Sequence, residues 1–219
     1  MLIIFDWDGT IVDSRGHIVK AMQMAINELN WPSRSDDQCA QMIGLGLTQT
    51  ALSLYPGISS QDCDRFAKSY SAFFVELKSK VGGTAYFPTV LDTLKVLTDA
   101  GYQLAIATGK SRRGLNQALE QDDLHKYFMI TKTADEAFSK PNPTMLTEIL
   151  DETNTIVSEA IMVGDTTYDM QMAHSIGMHR IAVTYGMHSI DQMSPYSPFA
   201  FIDRMSDIIS CINLIEKSQ

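Results

Sequence analysis

With 219 residues, of which 45% are hydrophobic, the chain can bury a substantial core and form one large domain or a core with a smaller insertion. Its net charge of −9 argues against nucleic-acid binding, which needs a basic surface to neutralise phosphates. No apolar run approaches the roughly 20 residues that cross a bilayer, so we expect no membrane partner, and three widely spaced cysteines predict buried thiols in a reducing cytoplasm.

The first predicted element is a short strand, the apolar run from Leu2 to Phe5. It is followed by Asp6-Trp7-Asp8-Gly9-Thr10, which places two carboxylates two residues apart where the strand should end. In a parallel α/β sheet the reactive crevice lies beyond the carboxyl ends of the strands, and extended spacing directs Asp6 and Asp8 to the same side. Taken alone, the segment fits an ordinary Asp-Gly turn better.

The next part of the chain, residues 15–83, shows helical patterns without a convincing strand between them. Two apolar stripes carry these patterns: Ile18, Met22, Ala25, Ile26 and Leu29 in one, and Phe66, Tyr70, Phe73, Phe74 and Leu77 in the other. We therefore expect residues 15–83 to form a helical cap domain inserted into a core of residues 1–14 and 84–219. Both crossings have glycine nearby, which is typical of hinges between a core and a lid.

From residue 84 onward, apolar runs alternate with helical patterns. The runs that predict further strands are Gln103 to Ala107, Phe128 to Ile130, Ala160 to Val163 and Arg180 to Val183. The predicted helices include one that ends at Gly101, one with Asn142 as N-cap and Pro143 at its first position, one over about Asp169 to Ile176, and a C-terminal one. The alternation predicts an α/β fold with a Rossmann-like parallel sheet and helices on both faces.

Two of the predicted strands end in segments that could bind an anion. Thr108-Gly109-Lys110-Ser111 offers a hydroxyl, unhindered backbone amides and a cation. Lys140 lies just ahead of a predicted helix N-terminus. Each feature in isolation is more often a turn-to-helix junction or a solvated lysine.

The strand from Ala160 leads into a second acidic pair, Asp165 and Asp169, at a spacing of four. On a helix, that spacing puts both side chains on one face. The alternative is structural: Asp165 caps the helix, and Asp169 complements the helix dipole from the first turn.

Together these segments place four carboxylates and two lysines around one end of one sheet. The acids would repel one another without a cation, and an oxygen-rich acidic cluster is typical of Mg²⁺ sites. Magnesium with flanking lysines and free backbone amides makes a receptor for a phosphoryl group. The combination predicts Mg²⁺ as the cofactor and phosphoryl transfer as the chemistry.

The four segments, in this order, resemble the motifs of the haloacid dehalogenase-like hydrolase superfamily. The matching residues are Asp6 to Thr10 for the first motif, Thr108-Gly109 for the second, Lys140 before Pro141 for the third, and Gly164-Asp165 through Asp169 for the fourth. The helical insertion is similar to the C1-type cap of subfamily I. The chain as a whole is most similar to the phosphoglycolate phosphatase-like branch.

The resemblance implies a role for each motif residue. Asp6 attacks phosphorus and forms an aspartyl-phosphate, while Asp8 protonates the leaving alcohol and then activates water. The implied Mg²⁺ ligands are Asp6, the backbone carbonyl of Asp8, Asp165, and Asp169 in a supporting position. The implied phosphate-binding residues are Thr108, Gly109 and Lys140.

The implied function is a Mg²⁺-dependent phosphatase that hydrolyses a small phosphate monoester, phosphoglycolate-like or a sugar phosphate. One alternative is phosphoryl transfer like that of β-phosphoglucomutase, whose branch also has two acids. A remote alternative is a non-enzymatic signalling module that uses a phosphorylated aspartate as a switch. We expect a small phosphorylated metabolite as the partner and a monomer or weak homodimer as the assembly.

Two features of the resemblance concern the cap and the second motif. Many relatives have Asn or Ser where this chain has Gly109, so a side-chain contact to substrate is missing. Lys110 either compensates for that contact or is a surface charge. The segment around Gly44-Leu45-Gly46 interrupts two helical patterns, and in the family a loop at this place reaches toward the active site; a plain turn between helices would also suit these glycines.

Overall fold

The computed structural model describes residues 1–218. Over these residues the strands are, in chain order, β1 (Leu2–Phe5), β2 (Val12–Asp13), β3 (Ala85–Tyr86), β4 (Gln103–Thr108), β5 (Ile130–Thr133), β6 (Ala160–Gly164), β7 (His179–Val183) and β8 (Ala200–Ile202). Six of them form one sheet in the order β5-β4-β1-β6-β7-β8. Every neighbouring pair in this sheet is parallel, as the alternation of strands and helices predicted.

The helices divide into a group before β3 and a group after it. In chain order they are α1 (Arg15–Glu28), α2 (Asp36–Ala40), α3 (Leu47–Leu54), α4 (Ser60–Val81), α5 (Val90–Asp99), α6 (Arg112–Gln121), α7 (Thr144–Thr153), α8 (Thr167–Ser175), α9 (Ile190–Met193) and α10 (Ile208–Ser218). None of the helices within residues 1–218 has the length and apolarity that a membrane span requires.

The central sheet is covered on both faces, because successive residues of a strand point to opposite sides. In β1, Ile3 and Phe5 join one apolar cluster with residues of α5, α6 and α10. Leu2 and Ile4 join a second cluster with residues of α7 and α8. Burial on both faces is typical of parallel sheets, and it confirms the predicted Rossmann-like core.

The helices α1 to α4 have an apolar core of their own. Ile26 and Phe66 are fully buried in it, and the rings of Phe66 and Trp31 stack with centroids 5.9 Å apart. A separate core is what an independent helical unit needs, so it supports our proposal that residues 15–83 form a distinct domain.

Two short strands join the ends of this helical insertion. β2 and β3 pair antiparallel, with Val12 opposite Tyr86 and Asp13 opposite Ala85. The sequence did not predict them, because two residues are too few to show a period. They bring the outgoing and the returning chain together at the border of the core.

Several predicted bounds are wrong. The strand predicted at Phe128 to Ile130 is instead β5, Ile130–Thr133, whose half-buried edge position allows polar residues that break the apolar run. The edge strand β8 was not predicted. α7 begins one residue late, although Asn142 Oδ1 still accepts from the Thr144 N–H at 3.0 Å.

Candidate active site

The predicted site residues meet at the carboxyl edge of the central strands. β1 lies between β4 and β6, and Phe5 is level with Ile106 and Val163. The residues after these strands therefore emerge at the same edge. Three carboxylates that emerge there each offer an oxygen within 4.8 Å of the others: Asp6, Asp165 and Asp169.

Lys140 is the cation inside this carboxylate cluster. Its Nζ lies 2.7 Å from Asp6 Oδ1 and 2.6 Å from Asp169 Oδ1, and its side chain is fully buried. Burial alone would lower the pKa of Lys140, but the charges of Asp169 and Asp6 outweigh it and raise that pKa to about 12. The lysine is therefore charged at any physiological pH.

Asp6 is buried with free acceptor capacity. Apart from the ion pair with Lys140, no hydrogen-bond donor among residues 1–218 satisfies either of its oxygens. Burial raises the pKa of Asp6 to about 7, with Lys140 opposing the rise and the charges of Asp169 and Asp8 adding to it. Buried carboxylate oxygens that lack other hydrogen-bond donors have lone pairs free to bind a hard cation and to attack an electrophile.

Asp165 is held from two distant parts of the chain. Thr10 Oγ1 donates to its Oδ1 at 2.9 Å, and the Met187 N–H donates to its Oδ2 at 2.8 Å. Burial, followed by the charges of Asp6 and Asp169, raises the pKa of Asp165 well above its ordinary value. Its environment therefore favours a cation as a partner.

Asp169 has both oxygens engaged by protein donors. The N–H and the hydroxyl of Thr166 donate to Oδ2 at 3.2 and 2.6 Å, while Lys140 holds Oδ1. Thr166 is the N-cap of α8 and forms a capping box with Asp169. The alternative in which Asp165 caps this helix is therefore wrong.

Asp8 is not one of the three clustered carboxylates, and it pairs with Lys110. The ammonium is 3.0 Å from each carboxylate oxygen, and the two side chains are 10% and 13% exposed. Lys110 also lies over the Phe74 ring of α4, 5.2 Å from its centroid. The interpretation of Lys110 as a surface charge is therefore wrong.

Gly109 lies directly beneath the loop between α2 and α3. A Cβ at this position would lie 2.8 Å from the Leu45 carbonyl oxygen and closer still to that of Gly44. The neighbouring Thr108 is buried, with its Oγ1 accepting from the Lys110 N–H at 3.3 Å. The side chain that Gly109 lacks is excluded because the loop backbone fills its space.

Substituting Ala for Gly109 is expected to destabilise the protein by about 1–3 kcal/mol, because the Cβ overlaps backbone that cannot move freely. For a chain of this length, this loss corresponds to a fall of several degrees in the melting temperature. The matched control is Gly16→Ala, since a Cβ there meets nothing within 4 Å. Equal melting temperatures for the two variants would mean that the loop does not pack on Gly109.

Comparison with known proteins gives a consistent result for the whole chain. Residues 3–183 match the family described as haloacid dehalogenase-like hydrolase. The chain is 32% identical over 218 residues to the protein of Dickeya dadantii named Probable phosphatase IndB, covering 99% of this chain and 95% of that one. It is 31% identical to the phosphoglycolate phosphatase of Vibrio parahaemolyticus, with 96% and 95% of the two chains covered.

The fold has close counterparts among solved structures. A hydrolase from Pseudomonas syringae superimposes with a TM-score of 0.88 at 20% identity, over 98% of this chain and 99% of that one. At this identity the similarity concerns the fold, and it extends to the helical insertion because nearly all of both chains is covered.

Proposed function

The chain belongs to the haloacid dehalogenase-like hydrolase family, and we propose that it is a Mg²⁺-dependent phosphatase acting through an aspartyl-phosphate. The observation that carries the proposal is the state of Asp6, which is buried, lies 2.7 Å from Lys140 Nζ and has no hydrogen-bond donor other than this lysine among residues 1–218. A carboxylate nucleophile needs such free lone pairs next to a cation that attracts an anionic substrate.

We propose that Mg²⁺ is held by the side chains of Asp6 and Asp165 and by the backbone carbonyl of Asp8. The cluster offers oxygen ligands only, which is the donor set that Mg²⁺ prefers. We assign Asp169 a supporting role at this metal site, because Thr166 and Lys140 already occupy its oxygens. When bound, the ion neutralises the carboxylates and the phosphoryl oxygens.

Four side chains have separate tasks in the proposed reaction. An oxygen of Asp6 attacks phosphorus, the ester P–O bond breaks, and Asp8 donates its proton to the leaving alkoxide. In the second step Asp8 takes a proton from the attacking water, whose oxygen bonds phosphorus and frees the Asp6 carboxylate. Lys140 and Thr108 stabilise the charge that develops on the phosphoryl oxygens.

The side chain of Lys110 joins Asp8 to the helical insertion. Its Nζ lies 3.0 Å from Asp8 Oδ2 and 5.2 Å from the centroid of the Phe74 ring in α4. Burial, together with the charge of Asp8, raises the pKa of Tyr70, which also belongs to α4. The phosphoglycolate phosphatase name of a relative 31% identical supports a phosphoglycolate-like ester, within the class of small phosphate monoesters that we propose as substrates.

Turnover of p-nitrophenyl phosphate tests the proposal. With Mg²⁺ the purified protein is expected to release many equivalents of product, whereas chelation of the metal abolishes release. Release of one equivalent only would favour a phospho-aspartate switch instead. A panel that includes 2-phosphoglycolate and glucose 1-phosphate separates hydrolysis from mutase chemistry, because a mutase moves the phosphoryl group to a second sugar position without releasing inorganic phosphate.

A further inference from the structure

The loop of residues 41–46, between α2 and α3, is fastened to the core at both ends. At its start the Gln41 carbonyl oxygen accepts from the Tyr168 hydroxyl at 2.9 Å and faces His188 Nε2 at 3.2 Å. At its end the Gly46 N–H donates to Ser139 Oγ at 2.8 Å. These contacts join segments that are 93 to 147 residues apart in the chain.

His188 is oriented so that it can only donate to the loop. The backbone N–H of Thr167 donates to its Nδ1 at 3.0 Å, so Nδ1 is the acceptor and Nε2 carries the proton. That proton is directed at the Gln41 carbonyl oxygen, which therefore receives two donors from the core. The carbonyl would lose both if the loop lifted away.

Each fastening point is next to a residue of the carboxylate cluster. Ser139 directly precedes Lys140, and Tyr168 directly precedes Asp169. The backbone N–H of His188 donates to the backbone carbonyl of Asp165 at 3.2 Å. The loop is thus attached to the same backbone segments that position the charged groups.

The middle of the loop lies over the site. The carbonyl of Gly44 packs on Gly109, and a Cβ at Gly44 would lie 3.3 Å from Thr166 Oγ1. Positioning the ends of the loop therefore sets how closely its middle covers the phosphoryl pocket.

We propose that Ser139, Tyr168 and His188 are positioning residues that form a closure latch, which holds the loop of residues 41–46 over the active site. They act through the loop and do not contact the reacting atoms. A loop that is held closed in advance reduces the ordering cost of substrate binding and excludes water from the reaction. The expected effect on substrate binding rests on the proposed phosphatase function, whereas the expected effect on the position of the loop does not.

The double variant Tyr168→Phe, His188→Asn tests the latch. Asn can still accept from the Thr167 N–H through its amide oxygen, but neither new side chain can donate to the Gln41 carbonyl. The companion variant Tyr168→Phe, His188→Gln restores a longer amide donor that can reach this carbonyl. The control is Tyr102→Phe, which removes a hydroxyl that donates to Glu216 at 3.3 Å on the exposed surface, in a part of the chain outside the loop.

The first measurement is amide hydrogen exchange without substrate. In the Asn double variant, exchange of residues 41–46 is expected to accelerate roughly tenfold, as for the loss of a hydrogen-bonding contribution of about 1.4 kcal/mol. Exchange in β4 stays unchanged, and the Tyr102→Phe control matches the wild type in both segments. The Gln companion recovers part of the protection.

The second measurement is the split between KM and kcat for p-nitrophenyl phosphate. A lower population of the closed loop raises KM by up to about tenfold and leaves kcat within about twofold, because the closed complex itself is unchanged. If the Asn double variant shows the exchange effect but the wild-type protein shows no turnover, the proposed function fails and the latch stands.

The latch is wrong if loop exchange in the Asn double variant equals that of the wild type, or if the Gln companion loses as much protection as the Asn variant. Should the double variant fail to fold, Tyr168→Phe alone carries the test. Its expected acceleration is about threefold, since one of two donors remains, and an unchanged loop in that variant also overturns the latch.

Discussion

Asp6→Asn is expected to lower the turnover of p-nitrophenyl phosphate by at least about 10³-fold, because the amide cannot form the covalent intermediate. The measurement is steady-state product release with saturating Mg²⁺. Asp13→Asn is the matched control: it is the same change at an exposed carboxylate of β2, and it should leave turnover within about twofold of the wild type. Full Mg²⁺-dependent activity in Asp6→Asn would contradict the mechanism.

The same variant should not lose stability, which separates a chemical role from a structural one. The folded protein raises the pKa of Asp6 from its ordinary 3.8 to about 7, so between these values the folded state holds a proton that the unfolded chain has released. The stability that this bound proton contributes is fully present below about pH 4 and is lost as the pH rises through about 7. At about pH 8 the wild type bears the whole cost of ionising Asp6, and the Asn variant does not.

Thermal denaturation of the metal-free proteins at several pH values tests this expected difference in stability between the wild type and Asp6→Asn. The melting temperature of the wild type should fall relative to that of Asp6→Asn as the pH rises from about 5 to about 8. Parallel curves for the two proteins would mean that Asp6 does not titrate in the folded state as its burial requires.

The parts of the fold that the sequence predicted are those with local signals. The apolar run before Asp6 and the run before Asp165 mark buried strands, and their parallel pairing places both acids at one edge. The order of the four motifs then identified the family that the comparisons show. Local patterns sufficed here because strand ends and motif residues are adjacent in the chain.

The parts that sequence reasoning missed depend on contacts between distant residues. Lys110 and Asp8 are 102 positions apart, so nothing local distinguished an ion pair from a surface lysine. The donor to Asp165 is the backbone N–H of Met187. The sequence cannot reveal this contact, because a backbone donor does not depend on the type of side chain. The reason for glycine at position 109 also lies in a distant segment, because the backbone of Gly44 occupies the space that a side chain would need.

Lys140→Met is expected to produce the largest loss of stability, because it leaves the carboxylates of Asp6 and Asp169 buried without their cation. Removing one partner of a buried ion pair typically costs about 3–5 kcal/mol, equivalent to a fall of roughly 6–20 °C in the melting temperature for a chain of this length. Burial is complete on both sides of these contacts, so solvent cannot screen the repulsion. The measurement is chemical denaturation in the presence of a chelator at about pH 8, above the raised pKa of Asp6 of about 7.

Lys95→Met is the matched control, because Lys95 pairs with Asp99 on the exposed surface of α5, with both side chains more than half exposed. An exposed helical pair of this kind contributes little to stability, because solvent screens its charges. Mg²⁺ should return part of the stability lost in Lys140→Met, since a divalent cation beside Asp6 and Asp165 reduces the same repulsion, and it should change little in Lys95→Met beyond its effect on the wild type. If the two variants unfold at the same denaturant concentration without metal, Lys140 does not balance the cluster. If only Lys140→Met is destabilised and Mg²⁺ restores part of its stability, then the lysine and the metal compensate the same charges, as a site built to receive a phosphoryl group requires.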